Sequence, residues 1–260
     1  MIAIRTEREI DLLRRADEIV AEVLATLAER VEPGVTTLEL DAEGEALIRK
    51  SGGKPSFLGY QGFPNATCIS VDDVIVHGIP SERRLKDGEI VSIDVGVKYK
   101  GYYGDAAVSV PCGAVDADRH RLMDTTDRAL ANGIDAARAG NYLIDVSRAI
   151  EETVLREGFS IVRNFVGHGI GLAMHEDPQI PNFVTSERGP RLKPGMVLAI
   201  EPMVNIGKAD VNVLDDGWTA VTADGSPSAH FEHSIVIGED EPEILSSSPR
   251  LSWGRCRVQR

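Results

Sequence analysis

Glu89-Ile-Val-Ser-Ile-Asp-Val-Gly-Val97, then Lys98-Tyr-Lys-Gly101, then Tyr103-Gly-Asp-Ala-Ala-Val-Ser-Val110 is the stretch on which the fold turns. Val91, Ile93, Val95 and Val97 alternate on one side and Asp94 faces the other; Ala106, Val108 and Val110 lie opposite Asp105 in the same way. The pattern predicts a β-hairpin. Centred between Tyr99 and Lys100, it sets residues 94 and 105 directly across from each other, with Cβ atoms about 5 Å apart. Like charges so placed repel, so two opposed carboxylates make sense where they share a proton or hold a cation. The turn is neither Asn-Gly nor Asp-Gly, so this register is an expectation and not a reading.

Around the hairpin, helices alternate with strands, without a Pro/Gly/Ser-rich linker. Thr6-x-x-Glu9 is a capping box that opens a helix with an apolar stripe of Ile10, Leu13, Ile19, Val23 and Leu27, stopped by Pro33-Gly34. A second helix starts near Thr36 or Thr37 and ends at Gly52-Gly53. A loop from Phe57 to Phe63 leads to short strands around Ile69 and Val74–Val76. Two further helices are predicted over Asp116–Arg138 and Asn141–Glu157, and then strands over Ser160–Val166, Met196–Val204, Trp218–Thr222 and Phe231–Ile237. Helix pair and hairpin, then helix pair and strands, hints at two related halves without a residue-level repeat.

At 260 residues and 42% hydrophobic content, the chain can bury one large core or two small ones. A net charge of −13 argues against nonspecific binding to DNA or an anionic membrane, since both need a basic surface. The segment 249–260 is a local exception. With Arg250, Arg255, Arg257 and Arg260 and no acid it reads as a solvated basic tail, contact with a polyanion being the alternative. Cys68, Cys112 and Cys256 are odd in number and scattered, which suits reduced thiols. With no signal-peptide core and no apolar run of membrane length, a cytoplasmic location is expected.

Three more ionisable groups sit in unusual settings. His168 lies among small residues in Val166-Gly-His-Gly-Ile-Gly171. Glu201 ends the apolar run Met196–Ile200 before Pro202, and Glu232 interrupts His230-Phe-Glu-His-Ser-Ile-Val-Ile237. Buried carboxylates are costly unless paired or coordinated. Each acid alone is better read as an edge or solvent-facing residue, but acids that interrupt four apolar strands suit a dinuclear divalent-metal site with bridging carboxylates. His77 and His175 are further candidates. His233 shares a face with Phe231, Ile235 and Ile237 and reads as a satisfied core histidine; His120 lies in a charged helix and reads as solvated.

The motifs H-G-I-P (77–80), S-I-D-V (92–95), G-D (104–105), G-H-G-I-G (167–171), M-H-E-D-P (174–178), A-I-E-P-M (199–203) and F-E-H-S (231–234) resemble, in order and spacing, the type I methionine aminopeptidases. The resemblance runs from residue 5 to about 245. It implies an α/β (α+β) pita-bread fold, with a curved antiparallel sheet flanked by two helix pairs in pseudo-two-fold symmetry, as a single catalytic domain over 1–248. It also implies a dinuclear metalloaminopeptidase that removes the initiator methionine when the second residue is small. Asp94 would chelate one metal, His168 and Glu201 the other, and Asp105 and Glu232 would bridge them. A metal-bridging hydroxide would attack the scissile carbonyl, with Glu201 as general base. His175 would hydrogen-bond that carbonyl and His77 the scissile nitrogen. Tyr60, Phe63, Cys68 and Trp218 would form the methionine pocket, with Phe57 and Met174 at its rim. The oxygen-rich donor set favours Mn, Fe(II), Co or Mg over a thiolate-type zinc site, with Zn kept among the candidates. The expected partner is a nascent peptide, with transient ribosome contact plausible and a monomer expected.

The chain departs from the family at His230, where many members carry glutamine, and at Gln61, where histidine is common. Gly96 and Ala106 stand where hydroxyl residues often accompany the aspartates, and such changes can alter metal affinity through outer contacts. Three alternatives compete. A proline-specific peptidase of the same fold usually carries an additional N-terminal domain, for which two helices before the pocket loop leave no room. A binding protein that lost catalysis, or a non-metal hydrolase like creatinase, would be expected to have replaced ligands that are all present here.

Overall fold

In a computed structural model that describes residues 2–251, the hairpin forms as two long strands, Glu89–Tyr99 and Tyr102–Cys112. Its expected register is corrected by two residues. Asp94 pairs with Ala107 and Asp105 with Gly96, while Tyr99 faces Tyr102. The cause is the turn: Lys100 and Gly101 both adopt positive φ, 47° and 97°. That makes a two-residue connection whose twist matches the strands, where a four-residue turn was expected. Because side chains alternate with period two, a slip of two leaves every residue on its expected face. The aspartates are diagonal neighbours, still on one side.

Among the described residues nine antiparallel strands form the main sheet. Its path runs Lys54–Pro55, Glu89–Tyr99, Tyr102–Cys112, Glu232–Val236, Val197–Ile200, Gly167–Gly169 and Glu176–Ile180. Cys68–Val71 also pairs with Glu89–Tyr99, and Glu243–Ile244 with Glu232–Val236. The run Met196–Val204, expected as one strand, is two. Val197–Ile200 stays in the main sheet, and Met203–Asn205 joins a smaller one with Ser228–His230 and Ser160–Ile161. Pro202, which has no N–H to give to a ladder, stands at the break. The opposing chain breaks at Phe231 in the same place, its N–H donating to the Pro202 carbonyl at 3.4 Å. Ser160–Val166 is likewise shorter than expected, ending at Ile161.

Helix α1 (Glu7–Arg30) starts at the expected capping box, where the Glu9 carboxylate accepts the Thr6 N–H at 2.9 Å and hydroxyl at 2.8 Å. Helix α2 (Thr37–Lys50) repeats the device with Thr36 and Glu39. The α1 residues Ile19, Val23 and Leu27 share the main core with Ile93, Val95 and Val97 of the hairpin. Helices α3 (Ala117–Ala136) and α4 (Leu143–Arg156) add Leu130, Ile134, Val146 and Ile150 to that core, which also holds Leu198 and Ile200. The helix pairs thus leave the other face of the strands free to line a cavity.

Arg250 hooks back onto α1, its guanidinium bonding Glu29 at 2.8 Å and Glu22 at 2.9 Å. The rest of the expected basic tail, with Cys256, lies outside the described residues. No helix among the described residues is long and apolar enough to cross a membrane.

Candidate metal centre and pocket

Five neighbouring strands of the main sheet each deliver one ionisable side chain to the same place. In spatial order they give Asp94, Asp105, Glu232, Glu201 (one residue past Ile200) and His168. The register explains the alignment. Asp94, Ala107 and Glu232 form one row across three strands, and Asp105 stands two residues from Ala107 on the same face. His168 pairs with Ala199, two residues before Glu201. Glu201 and Glu232 sit where their two segments pass from one sheet to the other.

Donor atoms of Asp105, His168 and Glu232 lie within 4.8 Å of one another. His168 Nε2 is 3.5 Å from Glu201 Oε1 and 4.0 Å from Asp105 Oδ2, while its Nδ1 is 3.0 Å from the Gly169 carbonyl. Asp94 Oδ1, Asp105 Oδ1 and Glu232 Oε1 are buried without a hydrogen-bond partner. Burial pushes the Asp94 carboxyl up to about 7. Burial first, and then mutual repulsion, holds Asp105, Glu201 and Glu232 well above the usual carboxylate range. Burial holds His168 at about 4, so its imidazole is neutral and free to give a lone pair. Orphaned, crowded carboxylate oxygens beside a neutral imidazole fit divalent cations, whose charge would remove the repulsion.

This cluster forms one end of a cavity of about 250 Å³. All eleven residues singled out from the sequence line it, together with Phe57, Gln61 and Met174. Phe57, Phe63, Cys68 and Met174 form a buried apolar patch, with Tyr60 and Trp218 packed against it. The Asp216 carboxylate fixes Trp218 by accepting the N–H groups of Trp218 and Thr219, both at 2.8 Å. Phe63 meets the indole edge-on at 5.2 Å. Gly96 lies beneath this patch, and a β-carbon there would come within 2.7 Å of Phe57 and 3.0 Å of Met174.

Two imidazoles stand between the apolar and acidic ends. His175, 4.3 Å from His168 between ring centroids, has its Nδ1 2.8 Å from the Tyr60 hydroxyl. His77 adopts φ 60°, a conformation β-carbon-bearing residues rarely take, and is followed by Gly78, where a β-carbon would strike the Ile69 carbonyl. Burial and then the neighbouring His175 lower His77 to about 4.

The structure adds residues that the sequence reading missed. Phe165 packs edge-on against His77 at 5.2 Å. Asp17, fully buried on α1, accepts the Asp105 N–H at 3.1 Å, and Ser234 donates its hydroxyl to the Asp105 carbonyl at 2.8 Å. The signal for Asp17 was present: it falls four residues after Leu13, an acid inside an apolar stripe. His233 meets its expectation as a core histidine, with Nδ1 2.8 Å from the Ser246 hydroxyl. His120 is exposed, its Nδ1 3.1 Å from Asp124.

The metallopeptidase family M24 model matches residues 11–239. A methionine aminopeptidase of Clostridium perfringens is 50% identical over 246 residues, covering 95% of this chain and 99% of that protein. A methionine aminopeptidase structure from Thermotoga maritima superposes with a TM-score of 0.94 at 45% identity, covering 95% of this chain and all of that one. A prolidase from Pyrococcus furiosus, at 23% identity and a TM-score of 0.77, covers 94% of this chain and 65% of its own length, and shares the fold alone.

Proposed function

The chain belongs to metallopeptidase family M24 and, within it, to the methionine aminopeptidases of pita-bread fold; from that premise we infer that it removes the N-terminal methionine of nascent polypeptides in the cytoplasm when the second residue is small. The observation that carries this reading is the row of five ligands on five adjacent strands, opening onto a narrow apolar pocket. The apolar lining of Phe57, Phe63, Cys68 and Met174 suits an unbranched thioether.

Two divalent cations suit the donor set: Asp94 on one, His168 and Glu201 on the other, and Asp105 and Glu232 shared. Mn(II), Fe(II), Co(II), Zn(II) or Mg(II) would supply an acidified water and polarise the substrate carbonyl. The chain's own groups do the rest. Glu201 would take up the proton released on attack. With Nδ1 of His175 accepting from the Tyr60 hydroxyl, Nε2 carries the proton and donates to the carbonyl oxygen as negative charge develops there. His77, locked by its backbone and by Phe165, faces the departing nitrogen. Phe63, Trp218 and Cys68 hold the methionine side chain and keep water from it.

The test is release of free methionine from Met-Ala-Ser and Met-Gly peptides by metal-stripped protein reloaded with each ion in turn, with Met-Lys and proline-bearing peptides as controls. Metal-dependent cleavage of the first two alone is the expected result. Equal cleavage of Met-Lys would overturn the small-residue rule, and no methionine release from a protein that binds two ions would overturn the activity.

A further inference from the structure

Arg5 is a cation that the fold buries and the reaction described above leaves unused. Its side chain is only 6% exposed. Its backbone N–H donates to the Gly195 carbonyl at 2.8 Å, anchoring the segment ahead of α1. The guanidinium packs against Gly171, where any β-carbon would collide with it. From there Nη2 donates to Glu176 Oε2, and Nη1 lies 3.7 Å from Glu9 Oε1.

The other oxygen of Glu176 is the informative one. Oε1 accepts the N–H of Leu172 at 2.7 Å and that of Ala173 at 3.0 Å. The Gly171 N–H donates to the Ala173 carbonyl at 3.1 Å, so residues 171–173 form a tight turn closed by one carboxylate. The Leu172 side chain points to solvent, 56% exposed, so apolar packing at the centre of this turn does not fix it. The next two residues are Met174, on the pocket wall, and His175.

We propose that Arg5 is a positioning residue for His175, acting through Glu176 and the turn that Glu176 closes. A carboxylate can hold two backbone N–H groups in register only while its own orientation is fixed, and a buried guanidinium on its second oxygen fixes it. The planar fork also reaches Glu9, which a single ammonium could not do with the same geometry. The catalytic imidazole is thereby tied to the first residues of the chain. The proposal rests on the reading of His175 as the group that meets the substrate carbonyl.

The test is a double-mutant cycle in metal-loaded enzyme, with kcat and KM measured on Met-Ala-Ser. Arg5→Met lowers kcat on the order of tenfold with KM changed less than about threefold, because a small misplacement of a catalytic group is costly. In a His175→Ala background the same substitution changes kcat less than about twofold. Arg5→Lys recovers part of the loss. Should Arg5→Met fail to fold, Glu176→Gln takes its place, and its effect on kcat is again absent when His175 is alanine. An equal fall in both backgrounds shows a purely structural role and overturns the proposal, as does an unchanged kcat in folded Arg5→Met enzyme. If His175→Ala alone leaves kcat intact, the reading of His175 fails first and the proposal falls with it.

Discussion

The Tyr60 hydroxyl lies 2.8 Å from His175 Nδ1, joining a residue of the apolar pocket to an imidazole beside the candidate metal ligands. The sequence placed Tyr60 only as a pocket wall. Its oxygen also holds the His175 ring in place through Nδ1. Tyr60→Phe keeps the ring and deletes that oxygen. We expect kcat to fall about tenfold, the worth of one hydrogen bond of about 1.4 kcal/mol, with KM little changed. Steady-state kinetics on Met-Ala-Ser check it, and an effect confined to KM would return Tyr60 to a wall residue.

Glu232→Gln should separate metal count from metal binding. The side chain is shared between the two proposed ions, so its loss leaves one tight site and one weak site. Calorimetric titration of stripped protein with Mn(II) is expected to fall from two ions per chain to one, with turnover nearly abolished. Two undiminished sites in the variant would show that Glu232 is not a bridge.

Gly96→Ser places a β-carbon where Phe57 and Met174 stand 2.7 and 3.0 Å away. Overpacking of this kind costs about 1–3 kcal/mol, and here the apolar end of the cavity must shift to relieve it. A lower melting temperature together with a raised KM for Met-Ala-Ser is the expected pair of results. Unchanged values of both would mean that the pocket floor is softer than its packing suggests.

Metal-free protein should lose stability as pH rises above about 6.5. Folding raises the Asp94 carboxyl from 3.8 to about 7, and Asp105, Glu201 and Glu232 also move upward. Below about pH 6.5 the buried His77, His168, His230 and His233, whose imidazoles burial holds at about 3 to 4, oppose this, because there the unfolded state binds the protons. Above it that offset ends, the folded state keeps carboxyl protons that the unfolded state has released, and stability falls. Cations replace those protons, so loading should release protons and flatten the profile. Thermal scans from pH 6.5 to 8, with chelator and then with Mn(II), decide this; a chelated protein that gains stability across that range would refute it.

Period-two alternation was enough to read the faces of the hairpin, and the capping box at Thr6 was enough to read the first helix start. The five candidate ligands stood out for one reason: each puts an ionisable group where an apolar run demands none. Register was not legible, because Lys100 at φ 47° forms the tight turn without an Asn-Gly or Asp-Gly signal. The break at Pro202 was hidden because both halves of Met196–Val204 are apolar and buried, although they serve different sheets. Asp17 escaped because a single acid in a long helix is ordinarily solvated, and its partner is a backbone N–H 88 residues away. The contact between Tyr60 and His175 spans 115 residues and has no local trace.

The strand Glu232–Val236 fills the middle of the main sheet, between Tyr102–Cys112 and Val197–Ile200, yet it is nearly the last to be synthesised. Until it inserts, two half-sheets face each other with bare edges, the condition under which chains stick to one another. Its pairings reach back across more than a hundred residues to Ala106 and Ala107, a non-local closure of the kind that slows folding. The same closure brings Glu232 to the other clustered side chains. A chain cut short of that residue would lack one of the five clustered side chains and keep both strand edges bare.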